Sequence, residues 1–407
     1  MAASTSLGGG KSPLVSNFNS VTVLNEIVKQ ATGAEALQNI DTNNFMSVAN
    51  VALSIQRDTL LNAISQVLSK TIFSIRPYTR KFKGLYQDNQ QFGNHVRKLN
   101  IADSDWDKDL RYDLTDGASV DDMIVKKPNV LQMNYYGQNI FSRFITLFRD
   151  QLNIAFTSES EFQRFVTMIM TNASDQIEQA HESVARMTLA NFIAGKQAGD
   201  ATNVINLLAE YNTLNGGSLT AADIYKSDNF VPFVKWAFAR IKTISDYFTE
   251  RSRKYHINVT GKEISRHTPY QLQNLYMLSE FMNETSTMVM GDVFHDNRLE
   301  LMDYERVSFW QSINSPNSIN VTPAYIDSTG NVKVADSAVN MTGVVGVLFD
   351  KEAVGITTVN QWSAPTPFNA RGGYSNIFWH FNDRYYNDFT ENGVVFIIAD
   401  AGTGTGK

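Results

Sequence analysis

An α+β fold is predicted by this sequence of 407 residues, and three observations support it. First, residues 158–195 keep helical spacing of apolar side chains over the longest such stretch in the chain. Second, residues 343–400 are rich in short strand patterns, such as "GVVGVLFD" and "NGVVFIIAD". Third, residues 203–342 mix both patterns, which places helices and strands in one region.

The long helix has recognisable signals at both predicted ends. Ser158 followed by Glu161 matches a capping box at its start. Gly195 predicts a left-handed stop, and Lys196 places a cation at the negative end of the helix. At 1.5 Å per residue such a helix is roughly 55 Å long. The apolar spacing averages above about 3.5 residues, which excludes a heptad coiled coil and leaves a core helix of a large domain as the simplest interpretation. The apolar stripe consists of Phe162, Val166, Ile169, Ala173, Ile177, Ala180 and Val184.

Composition limits the classes of protein that the sequence can represent. With no cysteine, the chain can form no disulfide, thiolate nucleophile or cysteine-ligated metal site. The formal net charge of −6 argues against the wide basic face of a sequence-reading nucleic-acid binder. No apolar run approaches the length of about 18 residues that a membrane span needs. The first residues, "MAASTSLGGGKSPL", lack the hydrophobic core of a signal peptide. We therefore expect synthesis in the cytoplasm and no membrane partner.

The chain before the long helix divides into three segments. Residues 1–44 begin with a stretch rich in Gly, Ser and Asn and are interpreted as an arm that orders on contact, with a short helix at residues 21–31. Residues 45–75 combine helical spacing with a β-branched end and predict a helix that leads into a strand. Residues 76–139 are rich in charges and amides and have strand-like ends, which predicts an extended hairpin. Because this hairpin is too weakly hydrophobic to form its own core, we expect it to lie against a partner or another domain.

Further elements are predicted beyond the long helix. The small residues of "GKQAGDA" (195–201) predict a joint, and helices are predicted at residues 204–214, 229–255 and 268–281. The aromatic pattern "NIFWHFNDRYYNDF" is expected to pack in a core or against a subunit, because it carries too few interleaved cations for a base-stacking surface. The last residues, "AGTGTGK", are expected to form a frayed end.

An acidic cluster lies within the predicted hairpin, in "DSDWDKDLRYDL" and the residues after it. Residues 103–122 contain eight Asp against Lys108 and Arg111, a local net charge of −6. The Asp spacing imitates an EF-hand calcium loop. Lys108, however, stands where that loop needs glycine, and Leu114 stands where it needs a bidentate Glu. We therefore favour a solvated acidic loop over a divalent-ion site.

A basic segment, "RPYTRKFK" (residues 76–83), carries four cations and no acid. Beside an acidic stretch, such cations are suited to pair with the carboxylates of a neighbouring subunit. An exposed, unpaired basic turn is the alternative. The residues predicted to make contacts between subunits are Arg80, Lys81, Lys83, Asp105, Asp107 and Asp109.

The patterns typical of catalysis or cofactor binding do not occur in the sequence. "GGGKS" (residues 8–12) has Thr5 where a phosphate-binding loop needs its first glycine, and no strand precedes it. The six histidines show no metal-ligand spacing, and His181, beside the apolar stripe, is expected to be a packing residue. Neither a nucleophile elbow nor a Rossmann glycine triplet is found. The sequence therefore predicts no catalytic, cofactor-binding or metal-binding residue.

The order of these elements resembles the major capsid protein of tailed bacteriophages, which has the Hong Kong 97-type fold. Three strings are similar to the capsid proteins of small short-tailed phages: "RKFKG", "KKPNVLQMNYYGQNIF" and "ARGGYSNIFWHFNDRYYNDFTENGVVFI". The resemblance implies an N-terminal arm at residues 1–44, the first part of a peripheral domain at 45–75, an extended loop at 76–139, a peripheral domain with a spine helix at 140–202, an axial domain at 203–342, and peripheral return strands with a C-terminal tail at 343–407.

The resemblance also implies a function. Such a chain self-assembles into pentamers and hexamers of an icosahedral shell that encloses double-stranded DNA without sequence specificity, and it is expected in the virion. A scaffolding protein and a portal are implied as further partners. One branch of the fold ligates Lys to Asn with the help of a Glu, and this is not expected here because no matching triplet is found. The alternatives are an encapsulin-like compartment shell and a soluble α+β enzyme with a dispersed site.

Overall fold

The computed structural model describes residues 80–87, 96–104, 106–112, 114–120, 123–148, 159–292 and 303–400. Several predicted features lie outside these described residues. They are the arm at residues 1–44 with its short helix, the helix-to-strand segment at 45–75, Ser158 at the predicted start of the long helix, and the tail after residue 400.

Helices and strands are interspersed along the described chain, as the sequence predicts. The helices are α1 (Glu159–Gly199), α2 (Leu207–Asn215), α3 (Ala221–Ile224), α4 (Ser227–Thr249) and α5 (Ser279–Asp292). The strands are β1 (Val96–Ile101), β2 (Val130–Tyr135), β3 (Gln138–Phe148), β4 (Val204–Asn206), β5 (Gln273–Leu278), β6 (Glu305–Val307), β7 (Ile319–Val321), β8 (Ala324–Ile326), β9 (Val332–Val334), β10 (Val339–Met341), β11 (Val344–Asp350), β12 (Val354–Pro365), β13 (Tyr374–Asn387) and β14 (Gly393–Ile397).

The chain forms two compact units, and each is assembled from separate parts of the sequence. Among the described residues, the first unit comprises 80–81, 139–148, 159–183 and 358–383. The second comprises the described residues within 82–138, 184–357 and 384–400. Neither unit is a continuous stretch of chain, so each depends on contacts between segments that are far apart in sequence.

The first unit contains most of a three-stranded sheet in the order β12-β13-β3. Aromatic side chains pair across neighbouring strands: Phe141 stacks on Phe381 at 4.9 Å between ring centroids, and Phe144 stacks on Phe378 at 5.3 Å. His181 of α1 meets both Phe141 and Phe381 edge-on. The prediction that His181 is a packing residue is therefore confirmed.

The second unit is organised around a five-stranded sheet in the order β4-β14-β11-β5-β6. The three inner strands are antiparallel, whereas β4 and β6 pair with their neighbours in parallel at the two edges. Every residue of β11 and β14 is buried, as expected of strands covered on both faces. The apolar strings "GVVGVLFD" and "NGVVFIIAD" predicted these two strands, and the prediction is confirmed.

Amphipathic helices complete the core of the second unit. α4 buries one apolar face, which includes Phe233, Ile241 and Phe248, in the same cluster as the buried strands. α2 is capped at its start by Asn206, whose side-chain oxygen accepts hydrogen bonds from two backbone N–H groups of the first turn, and it is followed by Gly216 in the left-handed conformation. None of the described helices combines the length and apolar character that crossing a bilayer requires.

The predicted end of the long helix at Gly195 is wrong. α1 continues through this residue and ends at Gly199, so Asp200 is the first residue after the helix. A Cβ atom on Gly195 would lie 2.4 Å from the ring of Phe389, so the glycine allows close packing instead of a left-handed turn. Lys196 is buried, and its Nζ donates to the carbonyl oxygen of Tyr255 and lies 3.3 Å from the carboxylate of Asp200.

The helix predicted at residues 268–281 is also wrong in most of its length. The segment "QNLYML" forms strand β5 between β11 and β6, and α5 begins only at Ser279. Both faces of β5 are covered, so its apolar residues show no alternation, and a short apolar run of this kind does not distinguish a strand from a helix. The other two predicted helices are found at α2 and α4 with shifted ends, and β4 takes the first residues of the former.

Candidate interaction hairpin

β1 and β2 form an antiparallel hairpin, here called the interaction hairpin, with the residues between them. The pairing runs from Val96 opposite Tyr135 to Ile101 opposite Val130. Half-buried and exposed residues alternate along β1, so one face of the ribbon packs against other parts of the second unit and the other meets solvent. The hairpin predicted within residues 76–139 is thus confirmed.

The connection between these strands exposes large apolar side chains. Trp106 is 100% exposed, and Met123, Ile124 and Val125 are each more than 70% exposed. Single exposed apolar residues are common on proteins, but a fully exposed Trp together with three consecutive exposed apolar residues is costly to leave in water. This exposed set, here called the hairpin tip, is typical of a surface that a partner covers.

Two groups of contacts, here called the anchors, hold the part of the hairpin formed by residues 96–103 and 130–135, here called the hairpin foot. The first anchor is built around Asp103. Its carboxylate accepts hydrogen bonds from the backbone N–H of Ser265 at 2.7 Å and from the Ser265 hydroxyl at 2.6 Å. Arg251 donates to the other carboxylate oxygen at 2.6 Å. The hydroxyl of Ser265 contributes most to lowering the pKa of Asp103 to about 2, so the carboxylate is ionised near neutral pH. Beside it, a small apolar cluster joins Ala102 and Leu131 of the hairpin to residues of the segment after α4.

The second anchor is a cluster of charges around Lys98 on the half-buried face of β1. Its Nζ lies 2.5 Å from Glu391 Oε1, 3.0 Å from Asp388 Oδ2 and 3.0 Å from Glu352 Oε2. Arg266 Nη1 lies 3.0 Å from the same Glu391 oxygen. Burial alone would lower the pKa of Lys98, but the charges of Asp388 and Glu391 outweigh it and raise that pKa, so the ammonium is retained. The cluster ties β1 to the turn between β13 and β14.

This second anchor was not predicted from the sequence. Its members come from distant parts of the sequence and belong to no common short motif. Lys98 and Asp388, for example, are separated by most of the chain. Two weak signals were present. Lys98 occupies an inward position of an alternating strand, and Asp388 and Glu391 precede a strand that is apolar throughout. Charges at such positions point to a buried ion-pair cluster.

The basic residues predicted to contact other subunits lie near the beginning of the described chain. Arg80 Nε is 3.8 Å from a carboxylate oxygen of Glu178 on α1. The backbone N–H of Lys81, a residue exposed to solvent, donates to Glu182 at 3.4 Å. Lys83 begins a short 3-10 turn, Lys83–Leu85. Arg80 thus has a partner within its own chain, while a role of these residues between subunits stays a prediction.

The predicted acidic contacts lie in the connection of the hairpin. Asp107 pairs with Lys126 at 2.6 Å, and Asp109 forms a bidentate pair with Arg111. Asp105 lies outside the described residues. Both pairs are exposed and so contribute little to stability. Among the described residues, no group of three or more acidic or histidine side chains is arranged to hold a metal ion, and Asp107 and Asp109 face cations of the chain itself.

The long helix, the two sheets and the interaction hairpin agree with the Hong Kong 97-type fold of phage shell subunits. Comparison with known families makes the assignment specific, because the profile of the Phi29-like phage major capsid protein matches residues 24–397. The chain belongs to this family and is a phage major capsid protein. The resemblance seen in the sequence is thereby confirmed.

Solved structures support the same fold. One is from the capsid of Staphylococcus phage Andhra, with 11% sequence identity over 81% of this chain and 86% of that chain and a TM-score of 0.54. Another is from a structure of the head fiber and inner core protein of bacteriophage P68, with 12% identity over 78% of this chain and 84% of that chain and a TM-score of 0.52. Comparison of the sequence with curated proteins finds no match. At these identities the structural similarity concerns the fold alone.

Proposed function

We propose that copies of this chain form the pentamers and hexamers of an icosahedral shell in which each interaction hairpin lies on a neighbouring copy. The observation that carries this proposal is the hairpin tip, where Trp106 and three consecutive apolar residues are exposed in the single chain. Covering such side chains with another molecule gains about 25 cal/mol per Å² of apolar surface removed from water. The many identical copies of a shell provide that molecule.

The two anchors at the foot support this arrangement. Lys98 within β1 and Asp103 just after it hold the hairpin to other parts of the second unit through several hydrogen bonds and ion pairs each. A hairpin held firmly at its foot presents its tip in a restricted set of directions, and less conformational entropy is lost when the tip docks. The six residues predicted from the sequence to contact other subunits, described above, are proposed as secondary contacts around this one.

The remaining partners follow from the shell function. We expect double-stranded DNA inside the shell, bound without sequence specificity, because a net charge of −6 provides little attraction for phosphates. A scaffolding protein during assembly, a portal, synthesis in the host cytoplasm and residence in the virion complete the proposal. The chain is proposed to act as a structural protein without catalysis. The domain divisions implied by the resemblance, from an arm at residues 1–44 to return strands at 343–407, belong to the same proposal.

Replacement of one tip residue by a charge tests the function directly. Ile124→Asp should reduce the yield of closed particles, measured by sedimentation and negative-stain electron microscopy, while the circular dichroism spectrum of the chain stays unchanged. Ser119→Asp is the matched control, because it adds the same charge to an exposed position of the same connection without removing an apolar side chain. Equal particle yields for the two variants would contradict the docking role of the tip.

The nature of the particles separates the alternatives. Particles that contain DNA agree with a virion shell, whereas particles that contain a cargo protein and no DNA would indicate an encapsulin-like compartment. A stable monomer of 45.6 kDa at every concentration would instead favour the soluble enzyme. The family assignment already favours the first outcome.

A further inference from the structure

An apolar groove of about 420 Å³ is formed by β2 of the interaction hairpin and by the pair of strands β8 and β9. It is lined by Leu131 and Met133 of β2 and by Ile326 and Val332 of the other pair. All of its lining residues belong to the second unit. Val332 is 74% exposed, so the groove is open in the single chain. A volume of this size is typical of sites that bury a small ligand, and it has room for several side chains of a partner.

The groove runs along the outer edge of β2, because Gln132 and Asn134 also line it. The backbone N–H of Ala102 donates to the carbonyl oxygen of Asn129, which makes these two residues a hydrogen-bonded pair of the ladder. Such pairs alternate along an antiparallel ladder, so the backbone groups of Gln132 and Asn134 point away from β1. In the part of the chain that the structure describes, no strand pairs with β2 on this side.

The sequence of β2 does nothing to protect this edge. Its residues, "VLQMNY", include neither a charge nor a proline, which are the usual means of keeping a free edge from pairing. An extended segment of a partner can add to such an edge through main-chain hydrogen bonds and place alternate side chains in a neighbouring groove. The outer edge of β2 is therefore suited to receive a strand.

The hairpin tip has the side chains that such a groove would cover. Met123, Ile124 and Val125 are consecutive and exposed, and residues 123–129 form neither helix nor strand in the single chain. Both the groove and the tip are uncovered in one molecule, so the tip does not fill the groove of its own chain. Two different surfaces that fit each other make a heterologous contact between copies, which produces a ring when the rotation closes.

We propose that the groove receives the hairpin tip of a second copy, with residues 123–125 along the outer edge of β2 and their apolar side chains in the groove. This inference rests on the proposed shell function and names the surface of the neighbouring copy on which each interaction hairpin lies. Repeated from copy to copy, the contact joins chains head to tail into rings, and pentamers and hexamers are rings of this kind.

The charges around the two surfaces are complementary. Residues 103–122, which lead to the tip, have a net charge of −6. Residues 250–267, which contribute Val259 to the groove, carry five Lys or Arg against Glu250 and Glu263, a net charge of +3. The Lys262 ammonium group donates to the carbonyl oxygen of Val130, so one of these cations lies at the start of β2. Cations on this surface would attract the acidic connection of a second copy and direct its tip toward the groove.

Disulfide formation between copies tests the docking, because the chain has no cysteine of its own. Val332→Cys in the groove is combined in turn with Met123→Cys, Ile124→Cys and Val125→Cys, so that no single register is assumed. After oxidation of the purified chain under assembly conditions, non-reducing electrophoresis should show a ladder of linked chains that ends at the pentamer or hexamer. A disulfide forms only where two Cα atoms come within about 7 Å, so the ladder reports direct contact.

Matched controls place the second cysteine outside the groove. Ile313→Cys replaces Val332→Cys in each pair, because Ile313 is 73% exposed and does not line the groove. These controls should give at least about tenfold less linked chain, since their sulfur atoms meet only by collision.

A charge in the groove gives a second measurement that does not depend on oxidation. Val332→Asp should lower the yield of closed particles about tenfold, because the docked tip would bury the new carboxylate, whereas Ile313→Asp should leave the yield unchanged. Sedimentation measures the yield, and circular dichroism shows that each variant is folded. Both substituted side chains are exposed in the single chain, so neither change disturbs its core.

Linkage that is no more frequent at the groove than at position 313 would overturn the proposal. If closed particles form in that case, the shell function stands and the tip docks on another surface. Equal particle yields for Val332→Asp and Ile313→Asp would also overturn it, and this comparison decides the matter if the cysteine pairs fail to fold. Linkage specific to the groove without closed particles would support the docking and count against the shell function instead.

Discussion

His181 Nδ1 lies 2.8 Å from a carboxylate oxygen of Asp383, and both side chains are buried. His181 belongs to α1 and Asp383 to β13, and the hydroxyl of Thr358 on β12 donates to the other oxygen of Asp383 at 3.0 Å. One carboxylate therefore fixes the long helix to two strands of the three-stranded sheet. All three residues belong to the first unit, so these contacts contribute to the packing within that unit.

Removing the imidazole should destabilise the first unit. In His181→Ala the fully buried carboxylate of Asp383 loses its partner on the helix, and we expect the free energy of unfolding to fall by about 1–3 kcal/mol. Urea unfolding followed by fluorescence measures the change. His380→Ala is the control, because His380 stacks on the half-exposed Trp362 and should cost less. Equal losses for the two variants would show that the bond between His181 and Asp383 is unimportant.

Gly195 should not tolerate a side chain although it lies inside a helix. Gly→Ala normally stabilises a helix by up to about 1 kcal/mol. Here a Cβ atom would lie 2.4 Å from the Phe389 ring, so we expect Gly195→Ala to lower the free energy of unfolding by about 1–3 kcal/mol. Gly217→Ala serves as the control, since the nearest atom to a Cβ there is 3.5 Å away. A stabilised Gly195→Ala would refute the packing role.

Asp103 should make the second unit sensitive to strong acid. Its pKa is lowered to about 2, so the stability it contributes is present above its ordinary pKa of 3.8 and is lost as the pH falls through about 2. Asp103→Asn should cost about 1–2 kcal/mol at pH 7 and should lose less stability than the wild type on acidification. Urea unfolding at several pH values measures both effects. Asp107→Asn, at an exposed pair, should resemble the wild type, and an identical acid response of the Asp103 variant would disprove the anchor.

The extent to which the fold could be predicted depended on how local its signals were. The interaction hairpin and the strands β11 and β14 were predictable because alternation and continuous apolar runs lie within a few residues. β5 was mistaken for a helix because both its faces are buried and its state is determined by its neighbours in the sheet, β6 and β11, which lie far beyond the reach of a local sequence pattern. The role of Gly195 as a helix stop was predicted wrongly for the same reason, because the residue that it packs against, Phe389, is distant in sequence.

In the interaction hairpin, too, the local features were predicted from the sequence and the long-range contacts were not. The strand-like ends of residues 76–139 indicated a hairpin, and the pairing of β1 with β2 is found there because such patterns are local; that this segment lies against a partner stays a prediction. The anchors at its foot were missed. Lys98 meets Asp388 only after the five-stranded sheet has formed, and no sequence pattern reports the burial of Glu391.

Reversal of two basic charges tests the contacts that the sequence predicts between subunits. Lys81→Glu with Lys83→Glu should weaken each contact about tenfold, equivalent to about 1.4 kcal/mol, because the cations would then repel the carboxylates of a neighbouring copy. Folding of the single chain should change little, since Lys81 is exposed to solvent. Particle yield by sedimentation and unfolding by urea measure the two effects. Lys235→Glu with Lys242→Glu makes the same change of charge on the exposed face of α4 and is the matched control. An unchanged particle yield in the first double variant, or an equal loss in both, would remove the proposed pairing role.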